Sequence, residues 1–76
     1  MKIESLTDMA KRYLEHWIIT ESLKPGQQIK EDEIASKLEI SRPPVREAFK
    51  ALESEGLVIR KPRRGVFVVE MSKADV

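Results

Sequence analysis

Pro43 and Pro44 stand side by side in the middle of a 76-residue chain. Proline has no backbone N–H and its ring clashes with the preceding turn, so a helix admits it only in the first turn. Directly behind the pair, Val45, Ala48, Phe49 and Leu52 recur at helical spacing, and Gly56 follows. The pair therefore fixes where this helix begins, and the pattern predicts a helix from about Pro43 to Glu55 with Gly56 as its C-cap. Ser41 and Arg42 are both open as N-cap. Residues ahead of proline avoid the helical region, which favours a start at Pro43 or Pro44. If Ser41 caps instead, its usual donors at the second and third positions are the two prolines. Its hydroxyl is then left for another partner, such as a phosphate.

The faces of this helix separate by chemistry. With Arg42 at the origin and about 100° per residue, Val45, Ala48, Phe49 and Leu52 fall between roughly 240° and 340°. Arg46, Lys50 and Pro43 fall near roughly 40°, 80° and 100° on the same wheel. The apolar stripe is expected to pack inward and the basic residues to face out, with Glu47 and Glu53 limiting the basic surface toward the C-terminal end. Net charge over the chain is only +1, but it is unevenly spread. Residues 42–65 hold seven Lys/Arg against three Asp/Glu, whereas residues 1–41 hold six against eight. A positive centre inside a near-neutral chain is a local electrostatic footprint of the kind that meets polyanions.

The flanking segments complete a recognisable order. Leu6, Met9, Ala10, Tyr13, Leu14, Trp17 and Ile18 form one helical stripe, predicting a first helix from Leu6 to about Ser22, capped by Ser5 or Thr7. Trp17 and Tyr13 on that stripe read as core, and His16 as an exposed helix residue. Pro25-Gly26 ends the segment, and Gln28-Ile29 reads as a short extended piece. Glu31, Asp32 and Glu33 suit the positive start of a second helix over residues 31–38. Residues 39–41 form a tight link, which makes helices two and three a helix-turn-helix. "LVIRK" and "VFVVE" around "PRRG" read as a hairpin with Arg63, Arg64 and Gly65 at its tip. The fold class expected is mainly α with a small β-hairpin: a winged helix-turn-helix of three helices plus a two-stranded wing. Residues 1–70 form the domain, and the polar 71–76 segment a tail or the start of a linker.

Several function classes lose support. There is no cysteine, hence no disulfide framework and no thiolate for metal or catalysis, and this usage fits a reducing, cytoplasmic setting. No apolar run is long enough to span a membrane, and the start has no apolar core and carries acids, unlike a signal peptide. Glu31–Glu33 matches no calcium-loop spacing, and His16 has no second ligand for a metal site. Ser41 and Ser54 have no general base at usable spacing. No enzyme activity, metal or cofactor is expected.

"SRPPVREAFKALESEGLV" followed by "RRGVFV" resembles the GntR family of bacterial transcription regulators, in its FadR-type branch, and "LKPGQQIKEDEIASKLEIS" resembles the segment that precedes them. The resemblance covers residues 12–69. It implies a winged helix-turn-helix that binds a short inverted repeat in double-stranded DNA, with Ser41, Arg42, Arg46 and Gly65 at contacting positions and Arg64 beside them. It also implies a homodimer in the full-length protein or on DNA. A C-terminal domain, absent from this sequence, would carry the small-molecule effector. Three positions depart from the family pattern. Pro43 stands where threonine is frequent, Asp32 where some members carry a DNA-reading arginine, and Glu39 where glycine is frequent in the turn.

The functional expectation is sequence-specific DNA binding by a repressor or activator. The recognition helix, residues 43–55, would lie in the major groove and the wing, residues 60–68, at the minor groove. The DNA-contacting set is Ser41, Arg42, Pro43, Arg46, Lys50, Arg63, Arg64 and Gly65. The alternative is a winged-helix module for protein–protein contact, which needs an apolar or acidic outer face on helix three; this face is basic.

Overall fold

The computed structural model describes residues 4–70. The elements run α1 (Leu6–Ile19), β1 (Gln28–Ile29), α2 (Glu31–Leu38), α3 (Arg42–Ser54), β2 (Val58–Lys61) and β3 (Gly65–Val68). Between the two openings left by the sequence, Ser5 caps α1: its Oγ accepts the Asp8 N–H at 3.0 Å. The helix ends at Ile19, short of Ser22. Glu21 turns left-handed (φ 62°), and the Leu23 N–H returns to the Trp17 carbonyl at 3.0 Å. That turn carries Leu23 into the core, which a longer helix would prevent.

Helix α2 keeps the predicted bounds, with its three acids in the first turn. Glu39 stops it in the left-handed conformation (φ 59°), and the Ile40 N–H reaches back to the Ala35 carbonyl at 3.0 Å. Helix α3 starts one residue before the expected Pro43, with Ser41 as its extended N-cap. The reason is hydrogen-bond arithmetic. Val45 is the first residue after the prolines with an N–H to give, and its i−4 partner is Ser41, so Arg42 falls inside the first turn. At the other end, Glu55 is the C-cap and Gly56 is the left-handed residue after it (φ 81°). Gly56 N–H donates to the Glu53 carbonyl and Leu57 N–H to the Leu52 carbonyl, both at 3.0 Å, closing a Schellman motif.

The wing hairpin gains a third strand. Gln28–Ile29 pairs antiparallel with β3, so the sheet order is β1-β3-β2, with Ile29 opposite Val66 and Ile59 opposite Phe67. Ile29, Val58, Val66 and Val68 point inward and meet Ala10 and Leu14 of α1, Ile34 and Ala35 of α2, and Val45, Ala48, Phe49 and Leu52 of α3 in one cluster. The α3 stripe is buried as its periodicity predicts. The α1 stripe is wider than the surface it meets. Trp17 is half-buried and Tyr13 is 44% exposed at the rim, against its 5.8 Å aromatic neighbour Trp17. Tyr13 is therefore not a core residue, because Ala10 and Leu14 hold the centre of the α1–α3 contact. His16 is exposed, as expected. Among the described residues no helix is long and apolar enough to cross a membrane. The tail assigned to residues 71–76 lies outside the described residues.

Candidate nucleic-acid interface

The two prolines place Arg42 and Arg46 in the first and second turns of α3, exposed along the edge of the buried stripe of Val45, Ala48, Phe49 and Leu52. Ser41, Arg42, Pro43, Arg46 and Lys50 are all exposed. Ser41 makes no side-chain cap bond, as two proline nitrogens at the donor positions require. Its hydroxyl and the start of α3, with the positive end of the helix dipole, face solvent together.

The wing tip is built by a tight turn. Arg64 N–H donates to the Lys61 carbonyl at 3.0 Å, with Pro62 and Arg63 between them. Proline followed by a positive-φ residue is the type II pattern, and here Arg63 (φ 65°) occupies the position that usually takes glycine or asparagine. Gly65 follows at φ 118°. A Cβ there would lie 2.7 Å from Gln28 Nε2, the atom that donates to the Arg64 carbonyl at 2.7 Å. A side chain at residue 65 would thus displace the bond that ties the wing tip to β1.

Helix start and wing meet at an open cleft of about 370 Å³. Its walls include Arg42 from α3, Lys30 and Glu31 from the start of α2, Arg60 and Gly65 from the wing, and Gln28 from β1. Of the predicted residues, the structure brings Arg42 and Gly65 to this shared cleft. Arg46 stands at its edge through a pair with Glu31, in which Nε lies 3.3 Å from Oε2. Lys50 lies a turn further on and faces Glu47 at 3.5 Å. Among the described residues, Arg42, Arg63 and Arg64 have no carboxylate within salt-bridge distance, so their charge is available to an external anion. Arg60 is partly neutralised by Glu53 at 3.6 Å.

Gln28, Lys30, Glu31 and Arg60 lie outside the DNA-contacting set expected from the sequence. Gln28 and Arg60 reach the cleft through strand register, which a two-residue strand does not announce. Glu31 reads in the sequence as an acid at a helix start. Only the crossing of α2 and α3 brings it against a residue fifteen positions away.

The bacterial regulatory proteins of the gntR family match residues 6–68. An uncharacterised helix-turn-helix-type transcriptional regulator from Agrobacterium vitis is 42% identical over 59 residues, covering 78% of this chain and 34% of that protein. The transcriptional repressor RspR of Escherichia coli is 38% identical over 65 residues, covering 86% and 28%. The chain thus spans about a third of the length of these curated relatives. In structure, a putative GntR regulator from Rhodococcus superposes with TM-score 0.82 at 36% identity, over 91% of this chain and 33% of that one. The DNA-binding domain of AraR, solved in complex with operator ORX1, superposes with TM-score 0.78 at 28% identity, over 88% and 82%.

Proposed function

The chain belongs to the GntR family of bacterial regulatory proteins, and from that premise we propose that it is a sequence-specific DNA-binding unit of a transcription regulator. The observation that carries this reading is the shared cleft. An exposed arginine at the start of α3 and the glycine of the wing tip border one concave surface, and the wing arginines Arg63 and Arg64 make no salt bridge among the described residues. In a winged helix-turn-helix the N-terminal half of the recognition helix enters the major groove. The structurally similar AraR domain was solved in complex with operator DNA, which supports DNA as the partner here.

In this reading, Arg42 and Arg46 present guanidinium forks to base edges. Ser41 Oγ and the α3 start take a phosphate, with Pro43 stiffening the backbone that aims them. Lys50 meets the flanking phosphate, and Arg63, Arg64 and Gly65 approach the minor groove. The unit works by binding, without catalysis, in the cytoplasm. Residues 1–70 form one such unit, of the FadR-type branch. Two copies would read the arms of a short inverted repeat, and dimerisation and effector control would lie in regions outside it. The matched segment covers only 34% and 28% of these curated relatives, which leaves room for such regions.

The test is selection from a random duplex library at moderate salt, followed by the Arg46→Ala variant on the enriched motif. We expect an inverted repeat with a guanine in each arm. Arg46→Ala should lose about 1–3 kcal/mol of discrimination at that guanine, the magnitude of a bidentate arginine–guanine pair. Retention of DNA with no motif would reduce the surface to charge and shape, and no retention at low salt would favour a protein-contact module.

A further inference from the structure

Resting on the DNA-binding reading above, we infer that Glu31 is a specificity-determining positioning residue: it grips one edge of the Arg46 guanidinium and leaves the other edge aimed outward as a fork for guanine. Arg46 Nε lies 3.4 and 3.3 Å from Glu31 Oε1 and Oε2, and Nη2 lies 3.3 Å from Oε1. The carboxylate therefore takes the side edge of the guanidinium, formed by Nε and one N–H of Nη2. Arginine has five N–H donors in a fixed plane. The end-on edge, formed by one N–H of Nη1 and the second N–H of Nη2, makes no hydrogen bond among the described residues. That edge carries the parallel donors that match O6 and N7 of guanine.

Three consequences follow from the surroundings. The Arg46 side chain is 49% exposed and Glu31 27%, so the pair sits at the surface, where the fork meets solvent or a ligand. The contacts are long for charge-assisted bonds, so they bias the direction of Arg46 without locking it. Glu31 also belongs to the first turn of α2, where the helix dipole favours a negative side chain. A negative charge at that place repels phosphate. Arg46 is thereby turned from a general phosphate contact into a base reader, since its attraction to any backbone is offset by its own partner. Specificity rises through the rejection of wrong sites as much as through the right one.

Wild type, Glu31→Gln, Glu31→Ala, Arg46→Ala and the Glu31→Gln/Arg46→Ala double variant would be run through the same random-duplex selection, with thermal midpoints measured in parallel. Midpoints should stay close to wild type, because an exposed ion pair contributes little to folding. Glu31→Gln and Glu31→Ala should retain total DNA as well as or better than wild type. Their preference for guanine at one position per arm should fall by about tenfold, the scale of one base contact. In the Arg46→Ala background, Glu31→Gln should change nothing in the motif. An undiminished guanine preference in both Glu31 variants overturns the inference while the DNA-binding reading stands. A motif change on adding Glu31→Gln to Arg46→Ala overturns it too, since Glu31 would then touch a base itself. A wild type that enriches no motif removes the DNA-reading function and this inference with it.

Discussion

Arg63 occupies a turn position whose backbone geometry suits glycine or asparagine. At φ 65° a side chain with a Cβ is crowded against its own carbonyl, which costs on the order of 1 kcal/mol. The side chain is exposed and has no carboxylate within salt-bridge distance among the described residues. No ion pair within the described fold offsets that strain, and under the proposed DNA-binding function the wing contact would do so. Arg63→Asn should raise the unfolding midpoint, since asparagine tolerates this region, by about 4–8 °C for each kcal/mol recovered in a domain of this size. The same variant should bind DNA more weakly. Glu21, also left-handed at φ 62°, serves as the comparison. Glu21→Asn should give a similar thermal gain with unchanged DNA binding, because Glu21 lies on neither the cleft nor the wing. A loss of thermal stability in Arg63→Asn would mean that the arginine makes contacts within the fold that outweigh the strain. That a basic residue stood at the tip was legible from "PRRG"; that it stood in a left-handed turn was not, because arginine does not signal that conformation.

Helices α1 and α3 both begin at a serine, but only one of the two caps does its usual work. Ser5 Oγ accepts a backbone N–H, and Ser41 Oγ accepts none. Ser5→Ala should therefore destabilise the domain by about 1 kcal/mol, the ordinary cost of a lost cap. Ser41→Ala should stay within about 0.5 kcal/mol, as a surface substitution without a folding partner does. Urea midpoints distinguish the two, and equal losses would refute the idea that the prolines silence the Ser41 cap. DNA affinity should respond the opposite way, falling for Ser41→Ala and holding for Ser5→Ala. The proline pair made this asymmetry visible in the sequence. The start of α3 one residue earlier than expected followed from the first free N–H after them, a local rule that outweighed the usual reluctance of a residue before proline to be helical.

Across the whole molecule, the charge at Lys11 ties the middle of α1 to the end of α3. Its Nζ lies 2.6 Å from Glu55 Oε2 and 3.2 Å from Glu15 Oε2. The Lys11 ammonium holds the Glu55 carboxyl below its ordinary range, and the two carboxylates hold the Lys11 ammonium above its own. A depressed carboxyl adds stability that is fully present above its unfolded pKa and is lost as pH falls through the folded one. The raised ammonium adds stability that is present below its unfolded pKa and is lost as pH rises through the folded one. The domain should therefore lose thermal stability below about pH 4.5 and again at strongly alkaline pH. Glu55→Gln should flatten part of the acid limb; an unchanged limb would assign acid unfolding to other carboxylates. By itself the sequence determined the three helices, the buried stripe of α3, the wing and its basic tip. These are local matters, set by periodicity of apolar residues, by proline's missing donor and by Gly56's tolerance of positive φ. The tertiary structure decided the rest. It recruited Gln28–Ile29 as a third strand, left Tyr13 at the rim of the core, and set Glu31 against Arg46. Each depends on which surfaces meet when α1, α2 and α3 close over one core, and the pattern along a single element carries no record of its neighbour's position.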